Sequence, residues 1–154
     1  MAAEYLAMDG LVSLNSPIIF NNASIPCTRG YVYHEDGTGI FILRGIVNND
    51  CAKYATYQIN YSGNIAIPEG GTPGAIATAI TVNGEPRTMS RSISTPTVAN
   101  SYDSVYSTAI IKVPRGCCFS VSVEYVSGLV DDATGTPAPS ISQVDGNLTI
   151  TRIA

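Results

Sequence analysis

The sequence has few charged residues, one histidine and no tryptophan, and these shortages exclude several functions. Asp, Glu, Lys and Arg make up 13% of the 154 residues, against about 25% in typical globular proteins. The net charge of −4 leaves no basic footprint for nucleic acid. No serine-hydrolase elbow, phosphate-binding loop or zinc-protease motif occurs. The one histidine, His34, lies at a strand end beside a turn, a position typical of a surface or interface residue. We therefore predict a protein that is not an enzyme, uses no cofactor and binds no nucleic acid.

Long apolar runs are also missing. No segment approaches the ~18 consecutive apolar residues of a membrane helix. The first ten residues, MAAEYLAMDG, have neither the positive charge nor the apolar stretch of a secretion signal. We expect a chain that is synthesised in a cytoplasm and does not enter a membrane. Because so little of its surface is charged, we also expect much of that surface to be covered by other subunits.

The four cysteines, Cys27, Cys51, Cys117 and Cys118, match no zinc-binding spacing. Cys117 and Cys118 are neighbours in a strand-like segment, so their side chains should point to opposite sides. We expect free thiols that are buried as small hydrophobic groups. The alternative is a disulfide between Cys27 or Cys51 and one member of the pair.

The sequence does contain many short runs with the period of β-strands. Between residues 119 and 125, apolar residues alternate with polar ones, which is typical of a strand with one buried face. The turn Pro114-Arg115-Gly116 separates this run from the β-branched residues 105–113, so we predict an antiparallel hairpin over residues 105–126. Asp36-Gly37 and Asn83-Gly84 each lie between apolar runs and predict two further hairpins.

The remaining segments complete an all-β pattern. Residues 54–67 form the longest predicted strand, residues 17–20 a short one, and residues 141–144 and 148–153 two closing strands. Residues 128–140 predict an exposed loop. Eight to ten short strands without a regular helix favour a single antiparallel sandwich domain over residues 17–154.

Residues 1–16 precede this domain as an apolar N-terminal arm. The arm has six sizeable apolar side chains: Tyr5, Leu6, Met8, Leu11, Val12 and Leu14. Free termini are usually polar and disordered, so these side chains should dock on something. Two alternatives are open: the arm attaches the protein to a partner, or it packs back on its own domain.

Several stretches together resemble a known family. They are HEDGTGIFILRG, YQINYSGNIAIPEGG, AITVNGEP, KVPRGCCFSVSVEYVSG and the closing NLTITRIA. They are similar to the complement C1q/tumour-necrosis-factor (C1q/TNF-like) jelly-roll heads of bacterial collagen-like surface proteins. They are still more similar to small structural proteins of gut tailed phages, such as capsid decoration and head-fibre proteins. The resemblance covers about Gly30 to Ala154, and it includes no Gly-X-Y stalk.

The resemblance implies a homotrimeric jelly-roll sandwich that binds, caps or decorates. We expect the trimer interface to involve the polar strand faces, namely Thr56, Gln58, Asn60, Ser120, Ser122 and Glu124. We expect the apolar arm to attach the trimer to the major capsid protein or another virion protein, on the outer capsid surface. There it would stabilise the shell, present a surface to the host, or do both. The alternative is a receptor- or glycan-binding head of a fibre or bacterial surface protein, with a host-surface glycan as its ligand.

Overall fold

A computed structural model describes residues 1–129 and 135–154, which form two six-stranded antiparallel sheets packed face to face. The strands are β1 (Ala2–Ala7), β2 (Gly10–Ser13), β3 (Phe20–Ile25), β4 (Val32–His34), β5 (Phe41–Arg44), β6 (Tyr54–Ala66), β7 (Ile76–Val82), β8 (Glu85–Pro86), β9 (Ser92–Ser94), β10 (Asp103–Pro114), β11 (Cys118–Ser127) and β12 (Ser140–Arg152). A short 3-10 turn, Thr88–Ser90, lies between β8 and β9. The predicted all-β antiparallel sandwich is confirmed.

The first sheet has the strand order β10-β6-β12-β1-β3, and β2 pairs with β12 as well. The second sheet has the order β4-β5-β11-β7-β8, and β9 also pairs with β7. The described residues contain twelve strands, against the predicted eight to ten. β2 and β9, which have only four and three residues, have no counterpart in the prediction. Such short strands leave no readable alternation in a sequence.

The core lies between the sheets and follows the period-two pattern of the long strands. From β6, Tyr57, Ile59 and Tyr61 are buried, and from β11, Val121 and Tyr125 join the same apolar cluster. The Tyr57 hydroxyl donates a hydrogen bond to the Arg44 carbonyl at 2.6 Å. The core thus contains large aromatic side chains; the Tyr57 hydroxyl is satisfied by a backbone carbonyl, whereas the enclosed Tyr61 hydroxyl has no hydrogen-bond partner among the described residues.

The hairpin predicted over residues 105–126 is wrong. β10 pairs with β6 along its whole length, whereas β11 pairs with β5 and β7 in the other sheet. The turn Pro114-Arg115-Gly116 therefore crosses from one sheet to the other. A side chain at Gly45 would collide with the Pro114 carbonyl oxygen, so the close approach of these segments requires glycine there. The hairpins at Asp36-Gly37 and Asn83-Gly84 are confirmed as β4–β5 and β7–β8.

The N-terminal segment belongs to the sandwich, so the arm predicted over residues 1–16 is also wrong. β1 pairs with β12 on one edge and β3 on the other, and β2 pairs with β12. Ala3, Tyr5 and Val12 are buried in the core, with the Tyr5 ring 4.7 Å from that of Phe41. Of the two alternatives, the segment packs on its own domain, because alternate residues of β1 are apolar and complete the core.

Two other strand boundaries differ from the prediction. The strand predicted over residues 17–20 is observed as β3, which begins only at Phe20. Residues 15–18 cross instead to the second sheet, where the Ile18 amide donates to the Val123 carbonyl at 2.8 Å. The two predicted closing strands are one strand, β12, interrupted by an irregularity between Val144 and Asn147. The predicted loop at 128–140 is partly described: residues 135–139 form no strand, and 130–134 lie outside the described residues.

All four cysteines are free, but they are not buried. Cys51, Cys117 and Cys118 are exposed, and Cys27 is half-buried. Cys117 follows a turn, and Cys118 is the first residue of β11. Three of the four thiols are exposed and none is buried, so the expectation of buried thiols is wrong, and the disulfide alternative does not hold either.

Candidate functional site

The outward face of the first sheet is a candidate interaction surface, and we call it the sheet-one face. Strand register aligns its side chains in rows that run across four strands. One row contains Thr108, Asn60, Thr149 and Glu4, and the next contains Ile110, Gln58, Thr151 and Ala2. Because β-strand side chains alternate, these residues point away from the buried set.

The centre of this face is held by hydrogen bonds between side chains. The Tyr106 hydroxyl donates to the Asn60 side-chain oxygen at 2.9 Å, and the Thr108 hydroxyl donates to the same oxygen at 2.7 Å. Tyr106 and Ile110 are 56% and 55% exposed. An ordered polar centre beside exposed apolar groups resembles the mixed composition of protein–protein interfaces.

The face carries very little charge. Among the described residues that point outward from β1, β6, β10 and β12, the charged ones are Glu4, Lys112 and, at the irregularity of β12, Asp145, whose carboxylate accepts a hydrogen bond from the Asn64 side chain at 3.5 Å. Hydrogen bonds from Ser24 (2.6 Å) and from Asn147 lower the pKa of Glu4. The Lys112 ammonium lies 5.9 Å from the centre of the Tyr54 ring. A neighbour could therefore cover most of this face without burying an unpaired ion, the costliest group to desolvate.

The six predicted interface residues do not share one surface. Thr56, Gln58 and Asn60 lie on the sheet-one face, whereas Ser120, Ser122 and Glu124 lie on β11 in the other sheet. Ser122 is buried, and its hydroxyl is hydrogen-bonded to that of Thr81. Partial burial raises the pKa of Glu124. The two sets are separated because β6 belongs to the first sheet and β11 to the second.

Sequence reasoning missed the outward residues of β10. Tyr106, Thr108, Ile110 and Lys112 alternate there with inward residues such as Ile111 and Val113. The alternation was present in the sequence, but the β-branched content of residues 105–113 hid it. The outward residues Thr149 and Thr151 of β12 were missed because the end of β12 is also rich in β-branched residues.

The six predicted attachment residues are divided between core and surface. Tyr5 and Val12 are buried, Leu6 and Leu14 are partly buried, and Met8 and Leu11 are 49% and 70% exposed. Met8 and Leu11 flank a groove of about 240 Å³ at the β1–β2 turn, which Pro17 and Ile19 also line. Of the six, only Met8 and Leu11 are exposed.

His34 has a structural role. Its two ring nitrogens each lie 3.0 Å from a backbone carbonyl oxygen, that of Ile40 and that of Phe20. Its ring stacks on Phe41 with the ring centres 4.0 Å apart. Over residues 1–129 and 135–154, no three His, Cys, Asp or Glu side chains cluster in a way that could hold a metal ion. Within the same ranges, no helix is long and apolar enough to cross a membrane.

Comparison with known proteins defines the fold. No protein-family model and no curated protein sequence matches the chain. Solved structures do match: the globular domain of zebrafish complement 1qA protein is 13% identical, covers 99% of this chain and 96% of its own, and has a TM-score of 0.62. Murine APRIL at pH 5.0 is 11% identical, with coverages of 99% and 98% and a TM-score of 0.61. Eiger TNF from S. frugiperda is 11% identical, with coverages of 100% and 92% and a TM-score of 0.62. The chain has the C1q/TNF-like jelly-roll fold.

Proposed function

We propose that this protein is a non-enzymatic homotrimeric head whose copies associate through the sheet-one face. The observation that carries the proposal is the character of that face, which is broad, ordered and almost free of charge. Most soluble homo-oligomers are closed and cyclic. In a closed trimer, the sheet-one face of each copy would be covered by a neighbouring copy. The same association accounts for a chain with only 13% charged residues.

The test of the trimer is its mass in solution. Light scattering of the purified chain at micromolar concentration should give three times the 16.2 kDa of one chain. A mass of a single chain under these conditions would contradict the proposal, because the sheet-one face would then be open to water.

We further propose that the trimer is a virion protein on the outer surface of a phage capsid, where it stabilises the shell and presents a surface to the host. This proposal is supported by the resemblance of residues 30–154 to phage decoration and head-fibre proteins. The groove at Met8 and Leu11 offers the attachment point, with the major capsid protein or another virion protein as the partner. Fully burying one such apolar side chain contributes about 1.5–3 kcal/mol, and three copies act together through effective concentration.

Attachment is tested by adding purified trimer back to particles that lack it. Leu11→Asp should abolish binding to the particle while leaving the mass of the trimer unchanged. Met89→Asp is the matched control, because Met89 is 98% exposed and lies outside the groove. Equal binding by both variants would move the attachment site away from the β1–β2 turn.

A second candidate function is a receptor- or glycan-binding head. The exposed Tyr106 ring beside the Asn60 amide favours it, since aromatic faces and amides are common in ligand sites. In this case the sheet-one face binds the host glycan, and the protein is not covered there by its own copies. Binding of the purified chain to a glycan array, lost in Tyr106→Ala, would support this function over the first.

A further inference from the structure

The groove at the β1–β2 turn is small and mostly apolar, with Met8, Leu11, Pro17 and Ile19 among its lining residues. Its volume of about 240 Å³ is below the roughly 300–1,000 Å³ of most small-molecule sites. It equals the volume of about eight water molecules at liquid density, which is room for one or two aliphatic side chains. The groove therefore fits a side chain of a partner better than a free ligand. Its one charged lining residue is Asp9.

Hydrogen bonds hold the turn that forms this groove. The Met8 amide donates to the Ile19 carbonyl at 2.8 Å, and the Asp145 amide donates to the Asp9 carboxylate at 3.0 Å. The Gln143 side chain is fully buried, and in the orientation that satisfies its neighbours it donates to the Met8 carbonyl at 2.9 Å. A groove that is already ordered costs little conformational entropy when a partner binds.

The irregularity of β12 supports the same turn. Asp145 has a φ of 56°, and the Gly146 amide donates to the Gln143 side-chain oxygen at 3.0 Å. A side chain at Gly146 would collide with the Gln143 amide and with Ala7 of β1, so this close approach requires glycine. The irregularity of β12 and the β1–β2 turn are therefore built as one connected unit.

Negative charge surrounds the groove. Asp9 lines it, and Asp145 is hydrogen-bonded to Asp9. Glu124 lies opposite Pro17 in an antiparallel bridge, and partial burial raises the pKa of its carboxyl with no positive charge to counteract the shift. Among the described residues, the one ion pair lies at the other end of the sandwich. None of these three carboxylates therefore has a cation within ion-pair distance.

Most of the positive side chains lie at the end of the sandwich opposite the groove. β12 begins beside the groove, where it pairs with β2, and ends at Arg152. Arg44, Lys53 and Arg115 lie at that far end as well, because they end β5, precede β6 and follow β10. The Arg115 amide donates to the Lys53 carbonyl there, at 2.9 Å. A partner that approaches the groove therefore meets mainly negative charge.

We infer that the groove receives an aliphatic side chain from a partner segment that carries a lysine or arginine next to it. The aliphatic side chain lies between Met8 and Leu11, and the neighbouring cation reaches the Asp9 carboxylate. The partner is the virion protein of the proposed attachment, on which this assignment rests, and its contacting segment is both apolar and basic. Charge complementarity of this kind adds specificity and speeds association more than it adds affinity.

The experiment is an NMR titration of the full chain, observed at the methyl groups of Met8 and Leu11. The probes are three capped pentapeptides: a central leucine flanked by lysines, a central leucine flanked by glutamates, and a central serine flanked by lysines. We expect saturable binding of the first in the millimolar range and no saturable binding of the other two. Binding of the glutamate or the serine peptide as tightly as the first would overturn the inference.

Asp9→Asn is the decisive variant, because asparagine keeps the oxygen that accepts from the Asp145 amide and removes only the charge. It should weaken binding of the lysine-flanked leucine peptide about threefold, the factor expected of one exposed ion pair. Glu85→Gln is the matched control, because Glu85 is exposed and lies on β8 of the other sheet. It should bind the peptide like the parent. Equal affinities in the two variants would overturn the inference.

Binding to particles separates this assignment from the proposed attachment. If Leu11→Asp loses particle binding but the chain shows no preference among the peptides, the attachment stands and the basic, apolar segment is wrong. If the peptide preference is present but Leu11→Asp still binds particles, the groove keeps its ligand class and the attachment lies elsewhere. Association of trimers with one another at low ionic strength, lost in Asp9→Asn, would make a second copy the occupant and overturn the choice of a virion partner.

Discussion

The outward faces of the two sheets have similar sequence patterns, but one is largely buried and the other is exposed. Thr56, Gln58 and Asn60 alternate with apolar residues in β6, just as Ser120 and Ser122 do in β11. In the second sheet the outward neighbours are small, and Ala77, Ala79 and Val126 form a buried cluster of their own. In the first sheet the outward neighbours include Tyr106 and Ile110, which are more than half exposed. Polar alternation thus shows which side faces away from the core, but not whether that side is free.

The difference matters for function because side chains that are already buried within the chain offer less surface to another molecule. The buried cluster in the second sheet contributes to the stability of a single chain. The sheet-one face, with Tyr106 and Ile110 more than half exposed, would contribute more if the proposed trimer covered it. Substitutions on the two faces should therefore affect different properties, unfolding in one case and association in the other.

The largest expected effect comes from the core that both sheets share. Val121→Asp places a carboxylate at a position that is 2% exposed, at a cost of several kcal/mol against a total stability of about 5–15 kcal/mol. We expect the variant to be unfolded by circular dichroism at room temperature. Ser120→Asp, on the half-exposed side of the same strand, is the control and should melt close to the parent. A folded Val121→Asp protein would reverse the assignment of the two faces.

The next effect is on association. Ile110→Asp puts a charge on the sheet-one face, so the trimer should dissociate to single chains that keep their secondary structure. Ile93→Asp changes an isoleucine of similar exposure, 41%, on β9 of the other sheet, and should remain trimeric. Light scattering of both variants at the same concentration makes the comparison. Dissociation of the Ile93 variant instead would transfer the interface to the second sheet.

A smaller loss is expected from the hydroxyl pair in the second sheet. Thr81→Val keeps the shape of the side chain but leaves the buried Ser122 hydroxyl without its partner, which should cost about 1–3 kcal/mol in urea unfolding. The double variant with Ser122→Ala should lose less than the sum of the two single changes. Strict additivity would mean that the two hydroxyls do not depend on each other.

The smallest effect concerns the pH dependence of the sheet-one face. Hydrogen bonds from Ser24 and Asn147 lower the pKa of Glu4 below its ordinary 4.5. A lowered pKa in the folded protein stabilises it above pH 4.5, and this contribution disappears as the pH falls through the folded value. Glu4→Gln should therefore lower the melting temperature slightly at neutral pH and have no effect in stronger acid. A difference in melting temperature between Glu4→Gln and the parent that grows toward acid pH would contradict this prediction.

The parts of the structure that could be predicted are those decided by neighbours in sequence. The alternation in β6 located Tyr57, Ile59 and Tyr61 in the core, and the Asn83-Gly84 turn located a hairpin, because a two-residue turn joins adjacent strands. The pairing of β10 and β11 could not be found in this way. Each strand has two edges, and a turn of several residues is compatible with a hairpin or with a crossing between sheets.

The candidate site was harder to predict than the fold. Half of the predicted interface residues lie on the open face, and the other half lie on the opposite side of the sandwich. The choice depends on which strands are neighbours, a long-range property that alternation does not encode. The apolar residues of β1 predict an attachment arm when read from the sequence alone, because a strand that pairs with a segment some 140 residues later has no local signature.

The position of β12 has a consequence for how the protein is made. β12 joins β6 on one edge to β1 and β2 on the other, yet it is the last of the twelve strands to leave the ribosome. Until then the first sheet exists only as two separate pairs, β10 with β6 and β1 with β3, each with an open edge toward the missing centre. Unpaired strand edges on a nascent chain invite pairing with other chains. Neighbouring nascent chains are therefore the main hazard during synthesis, and a stop before Ser140 should yield aggregates in place of a smaller folded domain.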